Sequence, residues 1–115
     1  MSVSTEATIT AFNEAFGRHD VDAVMALMTD DCIFENTLPT PDGERHVGQK
    51  AVREFWNQFF HDSPRATFET EEMVVAGDRA AVRWRFDWVD GHIRGIDLFK
   101  VRDGKVAEKL SYVKG

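Results

Sequence analysis

The stretch Val82-Arg83-Trp84-Arg85-Phe86-Asp87-Trp88-Val89-Asp90-Gly91-His92-Ile93-Arg94-Gly95-Ile96-Asp97-Leu98-Phe99-Lys100-Val101 reads as two strands and a turn. Up to Trp88, large apolar residues alternate with charged ones, the period of a strand with one buried face. Asp90-Gly91 is a dipeptide favoured in two-residue hairpins, whose central positions need positive φ. Such a turn pairs Val89 with His92 and sets Asp97 opposite Trp84. Val82, Trp84, Phe86, Trp88, Ile93, Gly95, Asp97, Phe99 and Val101 then share one face, and the arginines and Lys100 share the other. One acid, Asp97, thus falls among aromatics on the face expected to be buried. A carboxylate there must take a proton, find a cation or collect hydrogen bonds. That makes Asp97 the first candidate for a functional site.

The same grammar extends in both directions. After Pro64 the dipeptides Gly77-Asp78, Asp90-Gly91 and Asp103-Gly104 divide the chain into four strands of about ten residues. The Asp103-Gly104 turn has two readings, a two-residue turn or a type I turn with a bulge, which put opposite sets of the last strand inward. Before Pro64 the periodicity is helical. A helix is expected from about Ser4 to Gly17, with Ser4 as N-cap and Ile9, Phe12 and Phe16 as its stripe. A short second helix runs from about Asp20 to Met28. Val52, Phe55, Trp56, Phe59 and Phe60 mark a third with a wide apolar face, ending near His61. Cys32 to Asn36 reads as a strand, and Thr37 to Gly43, with two prolines, as a loop. Three helices followed by a meander give an α+β domain, with helices on the concave face of a curved, mostly antiparallel sheet.

A chain of 115 residues is one domain with room for a single core. Its 14 basic residues against 20 acidic ones form no basic stripe, so no nucleic acid is expected as partner. No apolar run resembles a signal peptide or a membrane span, and a cytoplasmic location is expected without a membrane partner. The single cysteine, Cys32, excludes an internal disulfide and reads as inert. His19, His46, His61 and His92 lack metal-ligand spacing, so no metal is expected; His46, beside the loop, is the one acid–base candidate among them. Ile96 and Leu98 on the outer face point to a homodimer formed through the sheet.

The order of elements resembles the NTF2-like superfamily and, within it, the SnoaL-like group of small cone-shaped proteins. The resemblance spans nearly the whole chain. It is carried by Phe12-Asn13-Glu14-Ala15-Phe16-Gly17-Arg18-His19-Asp20-Val21-Asp22-Ala23, by the segment Leu27 to Asn36, by Val47-Gly48-Gln49-Lys50-Ala51-Val52-Arg53-Glu54-Phe55-Trp56, and by the segment Asp97 to Val106. Members include isomerases, cyclases, epoxide hydrolases, dehydratases and non-catalytic binders, so the resemblance implies a fold and not one reaction. Set against ketosteroid isomerases, Asp97 falls on the protonated acid, Phe12 on the Tyr and Asn36 on the base. Set against limonene-epoxide-hydrolase-like members, Phe34-Glu35-Asn36 keeps the Asn, Arg85-Phe86-Asp87 looks like the Arg-x-Asp element, and Ser111 takes the place of the second acid.

The expected site has Asp97 and Asn36 as catalytic candidates. Phe12, Phe34, Trp56, Trp84, Phe86, Phe99, Lys109 and Ser111 would bind the substrate. The family pattern favours the bulged last turn, which brings Lys109 and Ser111 inward. If Lys109 reaches Asp97 the acid stays ionised; if not, desolvation keeps it neutral. The expected activity is cofactor-free proton transfer or hydration of a hydrophobic, oxygenated small molecule. The competing expectation is a non-catalytic ligand-binding or assembly module.

Overall fold

A computed structural model describes residues 4–115. Helix α1 spans Thr5–Gly17, and the Ser4 side chain accepts from Ala7 N–H, the expected N-cap. His19, at φ 59°, turns the chain, and Asp20 caps the short helix α2 (Val21–Ala26) by accepting from Ala23 N–H. Strand β1 (Met28–Glu35) starts four residues earlier than its apolar run indicates, so α2 is shorter than expected. A short strand, β2 (Arg45–Val47), lies inside a segment without strand alternation and exists because β1 offers it an edge. Helix α3 (Gln49–Asp62) lacks a side-chain cap. Instead, the Gln49 amide reaches the carbonyls of Met25, Met28 and Thr29 at 3.0–3.2 Å, which ties the helix to the α2–β1 junction.

Strands β3 (Thr67–Ala76), β4 (Arg79–Asp87), β5 (His92–Arg102) and β6 (Lys105–Val113) form the expected meander. The six-stranded sheet has the order β2-β1-β6-β5-β4-β3 and is antiparallel throughout except where β1 runs parallel to β6. This is an α+β fold with the helices over one sheet face. Ile9, Phe12, Trp56 and Phe99 meet there, each no more than 1% exposed. No helix among the described residues is long and apolar enough to cross a membrane.

Two turns differ from expectation, and both differences bear on the site. Asp90-Gly91 does not form a two-residue hairpin. The connection is the four residues from Trp88 to Gly91, closed by Trp88 N–H donating to the Gly91 carbonyl, with Val89 as the positive-φ residue. Trp88 leaves the strand because its indole packs on Gly91 and on Phe86, at 5.5 Å between ring centroids. Asp97 therefore pairs with Val82, and Trp84 with Gly95. The slip is two residues, so every side chain keeps its face. At the last turn the two readings combine. Asp103 (φ 54°) and Gly104 (φ 74°) form a two-residue turn, and a bulge follows at Val106-Ala107, where the register with β5 shifts. Both bulge residues are buried. The extra residue aligns Lys109 with Phe99 and Ser111 with Asp97 and brings both to the inner face.

Candidate functional site

The inner face of β5 and β6 carries Asp97, Lys109 and Ser111 beneath α1 and α3. Lys109 Nζ lies 3.1 Å from Asp97 Oδ2, and only 8% of either side chain is exposed. Ser111 donates to Asp97 Oδ1 at 2.6 Å, and Lys109 also points at the Ser111 hydroxyl at 3.4 Å. Asp97 Oδ1 thus accepts a hydrogen bond and Oδ2 sits in an ion pair with an ammonium, which is the arrangement of a carboxylate. The rings of Phe16 and Phe34 lie 5.0 Å from Nζ, and that of Trp56 lies 6.0 Å away. A ring face attracts a cation, and more so away from water, so the cage and Asp97 together hold the Lys109 head group in place. The third N–H of Lys109 has no protein acceptor among the described residues.

These groups form the polar end of a cavity of about 240 Å³. Phe34 reaches it from β1, Trp56 from α3, and Trp84 and Phe86 from β4. Phe12 and Phe99 do not line it. Both are fully buried behind its wall and meet edge to face at 5.7 Å, and Phe12 packs edge-on to Trp56 at 6.0 Å. Phe12 occupies the row that faces the sheet, while Asn13 and Phe16 on the same helix border the space. Phe55 and Phe59 on α3 and Phe68 on β3 complete the wall. Their signal was present in the wide stripe of α3 and in the pairing of Phe68 with Phe86, which only the sheet register reveals.

Asn36 stands at the mouth with Thr37 and Leu38, and its amide donates to the Leu38 carbonyl at 3.3 Å. It closes its own loop and is not among the partners of Asp97. His46 stacks on Phe34 (centroids 6.2 Å apart) and lies tilted against Phe55 (4.8 Å), with Nε2 buried and 3.7 Å from Glu44, and is not part of the cavity wall. Arg85 and Asp87 bond to each other on the outer face, away from the cavity. Cys32 is fully buried, and burial pushes its thiol up to about 11. No group of three or more His, Cys, Asp or Glu side chains converges among the described residues.

With this geometry established, the chain can be set beside known proteins. The pattern of the SnoaL-like domain matches residues 9–109. An NTF2-like protein of unknown function from Mesorhizobium loti is 42% identical, over 96% of this chain and 91% of that one, with a TM-score of 0.86. A candidate ketosteroid isomerase from Kribbella flavida (19% identical, 96% and 78% covered, TM-score 0.84) and a candidate polyketide cyclase from Sinorhizobium meliloti (21% identical, 96% and 100% covered, TM-score 0.81) share the fold. No functionally curated protein matches.

Proposed function

This chain belongs to the SnoaL-like domain family, and on that premise we propose that it is an enzyme that moves a proton on a hydrophobic, oxygenated small molecule without a cofactor. The observation that carries the reading is the Asp97–Lys109 pair at 3.1 Å inside an aromatic cavity. A carboxylate beside a fixed ammonium supplies the two groups that enolisation requires. Asp97 takes the proton from a carbon next to a carbonyl, the C–H electron pair forms a C=C bond, and the carbonyl π pair moves onto the oxygen. The free N–H of Lys109 meets the developing oxyanion. Return of the proton from Asp97 to a second carbon completes an isomerisation and restores both groups. Ser111 holds the second carboxylate oxygen, so Asp97 enters the reaction already oriented. The isomerase and cyclase names among the structural relatives fit this class of chemistry.

The second reading, a non-catalytic binding module, draws on a different observation. Both Asp97 oxygens are already satisfied, and Asn36 bonds within its own loop. Incubation of cyclic ketones with the protein in heavy water separates the two, with exchange of the α-hydrogen followed by NMR. The enzyme reading expects exchange that Asp97→Asn abolishes. Saturable binding with no exchange above the buffer rate would leave the binding module.

A further inference from the structure

Trp84 sits at the middle of the cavity wall, paired with Gly95 across β4 and β5. The missing side chain at Gly95 lets the indole lie over β5: a methyl there would stand 2.5 Å from Cζ2 and 2.7 Å from Cη2 of Trp84. The ring is therefore seated in one orientation, yet its N–H is buried and has no acceptor among the described residues. A buried indole N–H normally finds a partner, and an unpaired one in a native wall asks for an explanation. A second donor without a protein acceptor, the third N–H of Lys109, belongs to the same cavity.

We propose that the cavity takes a neutral, flat molecule of one or two fused rings with two acceptor oxygens, one met by Lys109 and the other by the indole N–H of Trp84; this rests on the reading of the pocket given above. The size follows from volume. An apolar cavity of about 150 Å³ takes up a single benzene, so about 240 Å³ suits one ring with substituents or two fused rings, not four. The oxygen spacing follows from register. Lys109 Nζ lies against Asp97 and the Trp84 indole lies over Gly95, and these two are successive inward positions on β5, about 7 Å apart along the strand, a separation that oxygens at opposite ends of one or two rings can span. Neutrality follows from the charges: those of Asp97 and Lys109 cancel, and Glu69, the other charged residue of the lining, pairs across the strands with Arg85 of the outer face. Flatness follows from the walls, where the rings of Phe34, Phe59, Phe68 and Phe86 offer faces and edges to stack against.

The test uses 6-methoxy-1-tetralone (two oxygens), 1-tetralone (one oxygen) and androst-4-ene-3,17-dione (two oxygens, four rings) as probes of nitrogen-15-labelled protein. Of the three indole N–H resonances, the one missing in Trp84→Phe should move on binding 6-methoxy-1-tetralone. That probe should bind about tenfold tighter than 1-tetralone, the worth of one added hydrogen bond to an otherwise unpaired donor. Trp84→Phe should erase the difference between the two. The inference is overturned if the four-ring dione binds as tightly as the bicyclic ketone, if the difference survives Trp84→Phe, or if none of the three binds. The same samples in heavy water keep the two readings apart. Bicyclic binding without α-hydrogen exchange leaves this inference standing and removes the enzyme reading, whereas exchange on the four-ring dione alone does the reverse.

Discussion

Lys109 carries its charge into a cage of three aromatic rings and meets Asp97 there, and this contact changes what a substitution at Asp97 should do. Had the acid been alone, Asp97→Asn would relieve a buried charge. With Lys109 at 3.1 Å it strands an ammonium instead. Removing one partner of a buried pair costs about 3–5 kcal/mol, while replacing both by apolar groups of similar size is often neutral or stabilising. Urea unfolding should therefore show Asp97→Asn and Lys109→Met each destabilised by about 3 kcal/mol. The double variant Asp97→Leu/Lys109→Met should lie closer to the wild type than either, and singles no worse than the double would show that the pair is not coupled in solution. Cys32 gives a second residue-scale expectation. Burial raises its thiol from 9.0 to about 11, and the nearby Asp31 and Asp30 carboxylates add to the effect. The folded value lies above the unfolded one, so the contribution is fully present below pH 9.0 and is lost as pH rises toward 11. The stability gap between wild type and Cys32→Ala should be constant up to about pH 9 and narrow above it. Labelling of Cys32 by iodoacetamide at pH 8 should be slow unless the protein is unfolded.

Strand β6 shows how an element, rather than a residue, builds the site. Its bulge at Val106-Ala107 moves every later side chain by one position relative to β5. Without the extra residue, Lys109 and Ser111 would turn to the outer face and Asp97 would lose both partners. Deletion of Ala107 should thus abolish binding of cyclic ketones while circular dichroism still reports a sheet, and retained binding would argue against the bulge as the register device. Two glycines offer a contrast, Gly95 in strand β5 and Gly17 in helix α1. A methyl at Gly95 would lie 2.2 Å from the Tyr112 carbonyl oxygen, a backbone atom that cannot swing away. Gly95→Ala should cost about 1–3 kcal/mol by overpacking. Gly17, at the end of α1, has nothing within 4 Å, and Gly17→Ala should be stabilising by about 0.5–1 kcal/mol, as expected for a helical glycine. Thermal melts of the two variants should move in opposite directions.

At the scale of the molecule, the outer sheet face carries a row of directly paired apolar residues, Leu110, Leu98, Ala81 and Val74, crossing four strands. Leu98 is 40% exposed and Val74 57%, and Tyr112 beside them is 50% exposed. The row is bordered by the Arg83–Glu72 and Arg94–Glu71 pairs, an apolar centre with a polar rim such as association surfaces show. A second copy of the chain is the proposed occupant. Light scattering should give twice the chain mass of 13.1 kDa, and Leu98→Glu, which places a charge at the centre of the row, should reduce it to the single mass. A wild type at 13.1 kDa across micromolar concentrations would exclude the dimer.

Local chemistry determined the elements themselves. The stripe of Val52, Trp56 and Phe60, the Ser4 cap, the turns at Gly77 and Gly104 and the alternation from Val82 to Phe86 act between near neighbours in the chain, so their outcome is legible without a partner. The alternation also puts Asp97 on the inner face, and the longer turn at Trp88 preserves that face because it shifts the register by an even number of residues. What local chemistry could not decide was who meets whom. Strand β2 exists only because β1 offers it an edge, and the bulge in β6 is chosen by pairing with β5 on one side and β1 on the other. The separation of Phe12 from the cavity, the contact between Lys109 and Asp97 and the buried Trp84 indole N–H, without an acceptor among the described residues, follow from how α1 and α3 settle on the curved sheet. Those contacts join residues far apart in the chain, and their energies depend on burial, which exists only once the whole fold has closed.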